Sequence, residues 1–117
     1  MCSAGNFFDY DPSRLTGNLS LSEKYIFENQ KGSIAFLADT HFGIEPFLDY
    51  YNNAFYNEFS KNNYGGTVGD QLKKVLQNLG ANPQTLNYYI RIHLEELALH
   101  GDPALRINAQ PKPDYIM

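Results

Sequence analysis

Apolar residues recur every three to four positions in some segments of this chain and run continuously in another, and those patterns predict its elements. Ser20 and Glu23 stand at capping-box spacing, where each side chain satisfies the other residue's backbone amide. A short helix through Tyr25, Ile26 and Phe27 is expected to follow, stopped by Gly32 after Lys31. Ser33 to Ala38 is an unbroken run of small and apolar residues, the pattern of a strand buried on both faces of a parallel sheet. Pro46 suits the first turn of a helix, and Phe47, Tyr51, Ala54, Phe55 and Phe59 then share one face. Asn62 to Gly66 breaks that pattern. Val68, Leu72, Val75, Leu76 and Leu79 form the next stripe, closed by Gly80. Asn82 caps and Pro83 opens a third, with Leu86, Ile90, Leu94 and Leu97 on its face and Gly101 as its stop. Ala104 to Ile107 reads as a short strand, and residues 110–117 as an exit linker.

Strands interleaved with helices give an α/β class, with a right-handed crossover between parallel strands. Two full strands make a poor sheet alone. The expectation is that a partner supplies strands or that earlier ones lie outside these 117 residues. The resulting open edge is an association hazard, so self-association or a partner is expected.

Composition narrows the picture. Nine Tyr and eight Phe, with no Trp, supply much apolar area from few positions. The net charge of -4 and the lack of a Lys/Arg run give no electrostatic footprint for nucleic acid. No apolar stretch reaches the length of a membrane span. The one cysteine, Cys2, excludes an intramolecular disulfide.

Chemistry concentrates in two places. Cys2 is followed by small residues and a turn-permissive Gly5. Asp39-Thr40-His41 follows the predicted strand abruptly, and ligands of open parallel sheets bind beyond the carboxyl ends of strands. His41 could approach such a cleft, although a loop histidine that is solvated or hydrogen bonded to Asp39 is the plainer reading. His93 lies near an apolar stripe and reads as a packed histidine. Asp9-Tyr10-Asp11 falls well short of an oxygen-ligand loop for a metal.

Four segments carry a family resemblance. Cys2-Ser3-Ala4-Gly5-Asn6-Phe7 resembles the nucleophile segment of gingipain-type cysteine peptidases. Gly32 to Thr40 resembles the strand that follows it, and Gly66-Thr67-Val68-Gly69-Asp70 the start of a later helix. Leu99-His100-Gly101-Asp102-Pro103-Ala104-Leu105-Arg106-Ile107 resembles the signature that closes these domains. Asp39 to Gly43, with Lys112 to Tyr115, is most similar to the sortase-like subgroup of the type IX secretion system of Bacteroidetes.

The resemblance implies a caspase-like α/β fold, its parallel sheet flanked by helices. Residues 1–109 would be the C-terminal half of the peptidase domain. Cys2 would be the nucleophile, with Ser3, Gly5, Asp39, Thr40 and His41 near the active site. Gly101, Asp102 and Pro103 would be the structural signature, and His100 a helix C-cap. The family's catalytic His precedes its Cys, so this chain alone is expected to be inactive. Peptide or protein substrates are implied, as are an upstream half or a homo-oligomer partner, and export to the periplasm or cell surface. No cofactor is implied, and calcium is left open for the parent protein. The alternative is a gingipain-like scaffold that binds without catalysing.

Overall fold

The computed structural model describes residues 3–7, 17, 19–30, 32–82 and 87–112. Two units contain them: residues 1–44 with 95–102, and residues 45–94 with 103–117.

In the first unit, helix α1 (Leu21–Phe27) starts where the capping box predicts. The Ser20 amide donates to Glu23 Oε2 at 2.8 Å, and the Glu23 amide donates to Ser20 Oγ at 3.4 Å. Its continuation fails at Glu28, which is extended. Gly32 then takes a φ of +110°, and the Ser33 amide donates back to the Tyr25 carbonyl at 2.8 Å. A side chain at residue 32 would collide with that same carbonyl, so this return needs glycine.

Strand β1 (Ala35–Asp39) pairs antiparallel with β2 (Leu97–Gly101), in a register that sets Ala35 opposite Gly101 and Asp39 opposite Leu97. Side chains alternate across this ladder, so Phe36, Ala38, Ala98 and His100 share one face. α1 packs there, with Tyr25 meeting Phe36 at 5.4 Å between ring centroids and Phe27 meeting His100 at 5.5 Å.

Four expectations are corrected here. The parallel sheet is not what the described residues form, because β1 takes its partner in the opposite sense. The second strand is Leu97–Gly101 rather than Ala104–Ile107. Leu97-Ala98-Leu99 fits either period over so short a run, and hydrogen bonding to β1 decides it. His100 accordingly lies in a strand and caps no helix, and Gly101 is not a helix stop. Gly101 has a φ of +141°, and a Cβ on it would lie 2.9 Å from Ala35 Cα, so close strand approach requires it.

The second unit is helical. α2 (Glu45–Asn57) continues as one wide π-helical turn over Glu58–Asn62, followed by α3 (Val68–Gly80). α4 (Tyr88–Glu96) runs without a loop into β2. The Asn87 side chain accepts the Ile90 amide at 2.9 Å, as an N-cap does, while Pro83 and Leu86 lie outside the described residues. Tyr51, Val68, Val75 and Ile90 are buried, as their stripes predict. His93 is packed as expected, with Nδ1 2.6 Å from the Tyr89 carbonyl oxygen and Phe47 against its ring. Tyr50 and Tyr56 are exposed, which follows from the helix having more aromatics than one face holds.

The π turn closes through a bond from the Asn63 amide to the Glu58 carbonyl at 2.9 Å. The buried Glu58 carboxylate accepts at Oε1 from the Asn62 and Asn78 side-chain amides, at 2.9 and 3.2 Å. Those bonds offset part of its desolvation.

The start of α3 explains the closing signature. The Val68 amide donates to the Leu105 carbonyl at 2.8 Å and the Gly69 amide to the Pro103 carbonyl at 2.9 Å. The Asp70 amide donates to Thr67 Oγ1 at 3.1 Å. Residues 103–105 therefore serve as an external cap for amides that a helix cannot satisfy itself. A Cβ on Gly69 would lie 2.9 Å from Pro103 Cβ and 3.0 Å from its carbonyl oxygen.

Two glycines of one helix should respond oppositely to the same change. Gly69→Ala should destabilise by about 1–3 kcal/mol through overpacking on Pro103. Gly80→Ala, with nothing within 4 Å of the added carbon, should stabilise by roughly 0.4–1 kcal/mol. Urea denaturation of both variants checks the pair, and equal signs would refute the cap geometry. Ser20→Ala should cost about 1 kcal/mol in the same assay, the usual loss for an N-cap hydroxyl.

Candidate active site

Ser3 to Phe7 forms a tight turn in the first unit, adjoining Cys2. Cys2 itself lies outside the described residues, as do Asp9 and Asp11. Three backbone bonds fasten the turn to other segments. The Ser3 amide donates to the His41 carbonyl at 2.7 Å, and the Gly5 amide to the Asp39 carbonyl at 3.0 Å. The Ala4 carbonyl accepts from the Ser22 amide of α1 at 2.9 Å.

Residue number rises along the turn as it falls along its partner, so the two segments run in opposite senses. The Thr40 amide meanwhile donates to the Glu96 carbonyl at 2.9 Å, next to the β2 ladder. Successive residues of an extended chain send their amides and carbonyls to opposite edges. The turn therefore occupies the edge of β1 that β2 does not.

Two residues show what that fit demands. Ser3 has a φ of +54°, a left-handed conformation that costs a non-glycine residue about 1 kcal/mol or more. Gly5 is buried, and a Cβ there would lie 2.6 Å from the Ala38 carbonyl oxygen. Only glycine permits this closeness of turn and strand.

The structure thus brings together Ser3, Gly5, Asp39, Thr40 and His41, which the sequence places near one site. Asp39 is buried at the strand end, whereas His41 is exposed with its ring edge-on to Phe42 at 4.9 Å. His41 reaches the turn through its backbone carbonyl. Cys2 is one peptide bond from the amide which that carbonyl holds.

Gly101, Asp102 and Pro103 serve other ends. Gly101 lies opposite Ala35, at the far end of the ladder from Asp39. The Pro103 carbonyl caps α3. Sequence reasoning missed Ser22 and His100 as neighbours of the turn. Ser22 is fully buried, and its one sequence signal is its place inside the capping box.

A shallow hollow on α1, lined by Leu21, Lys24, Tyr25, Glu28 and Gly32, holds none of the site residues. Among the described residues no three His, Cys, Asp or Glu side chains gather as metal ligands do. No helix among them is long and apolar enough to cross a membrane.

Comparison with known proteins gives one positive finding: residues 1–108 match peptidase family C25. No curated protein and no solved structure matches the chain. The match takes in the turn, both strands of the ladder and the α3 cap. On that coverage the chain belongs to peptidase family C25, the gingipain family of cysteine peptidases.

Proposed function

We propose that the chain carries the nucleophile of a cysteine peptidase domain, with Cys2 as the attacking residue. Family membership supports peptidase chemistry in general. The observation that carries the finer reading is the turn fastened to the carboxyl end of β1, with Ser3 in a strained conformation beside Cys2. Strain of this kind concentrates where a side chain must be held in one attitude.

A thiol becomes an effective nucleophile as thiolate, after an adjacent imidazole takes its proton. The thiolate attacks the peptide carbonyl carbon, and the collapsing intermediate breaks the C–N bond. The imidazolium gives its proton to the leaving amine, and a thioester remains on Cys2. Water releases the acid in hydrolysis; an amine forms a new amide in sortase-like transfer. Either step returns the thiol.

The base in this reading is a histidine from polypeptide outside residues 1–117, supplied by the upstream part of the same domain or by a second copy. His41 is adjacent through its backbone, and its exposed ring suits substrate contact at the rim. The architecture that accompanies the reading is a caspase-like α/β layer, of which β1 and β2 form an antiparallel margin. Such margins are common on otherwise parallel sheets. Export to the periplasm or cell surface and the type IX sortase-like subgroup belong to the same proposal.

The test uses the parent protein that contains these residues. Cys2→Ala should lower peptide cleavage by about a thousandfold or more, the scale for loss of a nucleophile. His41→Ala should cost far less than the roughly hundredfold that removal of a general base costs. A peptidyl electrophile should label Cys2 in the parent, with the adduct found by mass spectrometry. Full cleavage by Cys2→Ala would end this reading, and collapse in His41→Ala would make His41 the base.

A further inference from the structure

We infer that His100 is a positioning residue for the nucleophile turn, acting through Phe7 and Ser22; this rests on the reading of Cys2 as the nucleophile. His100 lies in β2 opposite Phe36, on the face that α1 covers. Its ring meets Phe7, in the turn segment, at 4.5 Å between centroids and a tilt of 39°. It also meets Phe27 in an edge-to-face arrangement, with centroids 5.5 Å apart. Its Nδ1 lies 3.3 Å from Ser22 Oγ.

The same Ser22 gives its backbone amide to the Ala4 carbonyl. The imidazole therefore bears on the turn by two routes. One is ring contact with Phe7. The other runs through the buried Ser22, whose hydroxyl faces His100 and whose amide holds Ala4.

The polar ring is what calls for explanation. Among the described residues His100 meets Phe7 from the turn, Ser22 and Phe27 from α1, and Phe36 from β1, and none of these four is charged. Packing alone would be met by phenylalanine at this place. What histidine adds is a hydrogen bond to Ser22. A serine hydroxyl rotates to donate or accept, so the contact does not depend on which tautomer the ring takes. Ser22 Oγ also lies 3.1 Å from Ser20 Oγ, which ties the contact to the capping box. With Ser3 and Gly5 fixed on β1 and Ala4 fixed on α1, His100 brings β2 into the support of the same turn.

The experiment compares the full chain with His100→Phe, which keeps the ring packing and removes the Ser22 bond. Ser22→Ala, which leaves the amide on Ala4, provides a second route should the first variant fold poorly. Cys2 is the single thiol, so its alkylation rate against pH is read without ambiguity. A synthetic peptide of residues 1–7 is the unheld reference. The wild-type profile should differ from the peptide's, and each variant should move toward it. The double variant should move no further than His100→Phe alone. Hydrogen exchange should quicken by about tenfold at the Ser3 and Gly5 amides while Ala38 and Ala98 in the ladder keep their protection. A wild-type profile coinciding with the peptide's, or one that both variants leave unchanged, would overturn the positioning role. The nucleophile reading is decided separately, by Cys2→Ala in the parent.

Discussion

Both edges of β1 are in use at its carboxyl end, and the candidate site depends on that arrangement. One edge pairs with β2 and takes the Thr40 amide to Glu96. The other offers the Asp39 and His41 carbonyls to the Gly5 and Ser3 amides. Backbone groups buried without partners are costly, so a turn pressed against a strand must exchange hydrogen bonds with it. That exchange fixes the distance between turn and strand, and the distance in turn leaves no room for a side chain at Gly5. The strained φ of Ser3 is tolerated because the bonds on either side overdetermine it.

The family signature divides into two kinds of residue. Those in the turn and at the end of β1 are joined by the Ser3–His41 and Gly5–Asp39 backbone bonds. Those from Pro103 to Leu105 face the start of α3, where their carbonyls take the amides of Val68 and Gly69. Gly69 belongs with them, since its bare backbone lets Pro103 close on the helix. Two segments more than thirty positions apart in the chain thus form one structural device. Their presence reports the integrity of the second unit rather than the chemistry of the first.

Much of the candidate site was legible before any coordinates. Small residues after Cys2 and an abrupt Asp39-Thr40-His41 after an apolar run marked both halves of it. What could not be read was the support beneath them. Ser22 is an undistinguished residue of a short helix, and His100 looked like the end of α4. Their meeting joins residues 78 positions apart and leaves no periodic trace.

The sequence by itself determined the helices, because caps, glycines and apolar stripes act within a few residues of one another. Ser20 with Glu23 started α1, and the stripe from Val68 to Leu79 marked α3, although carbonyls from Pro103 and Leu105 complete its first turn. Tertiary structure decided the strands. Leu97 to Gly101 satisfies both periods, and only the edge of β1 selects extension there over another turn of α4. Ala104 to Ile107 forms no strand, and its Leu105 carbonyl caps α3 instead. Strand direction was settled in the same way: a ladder is a bond between segments far apart in the chain, so neither segment alone specifies its sense.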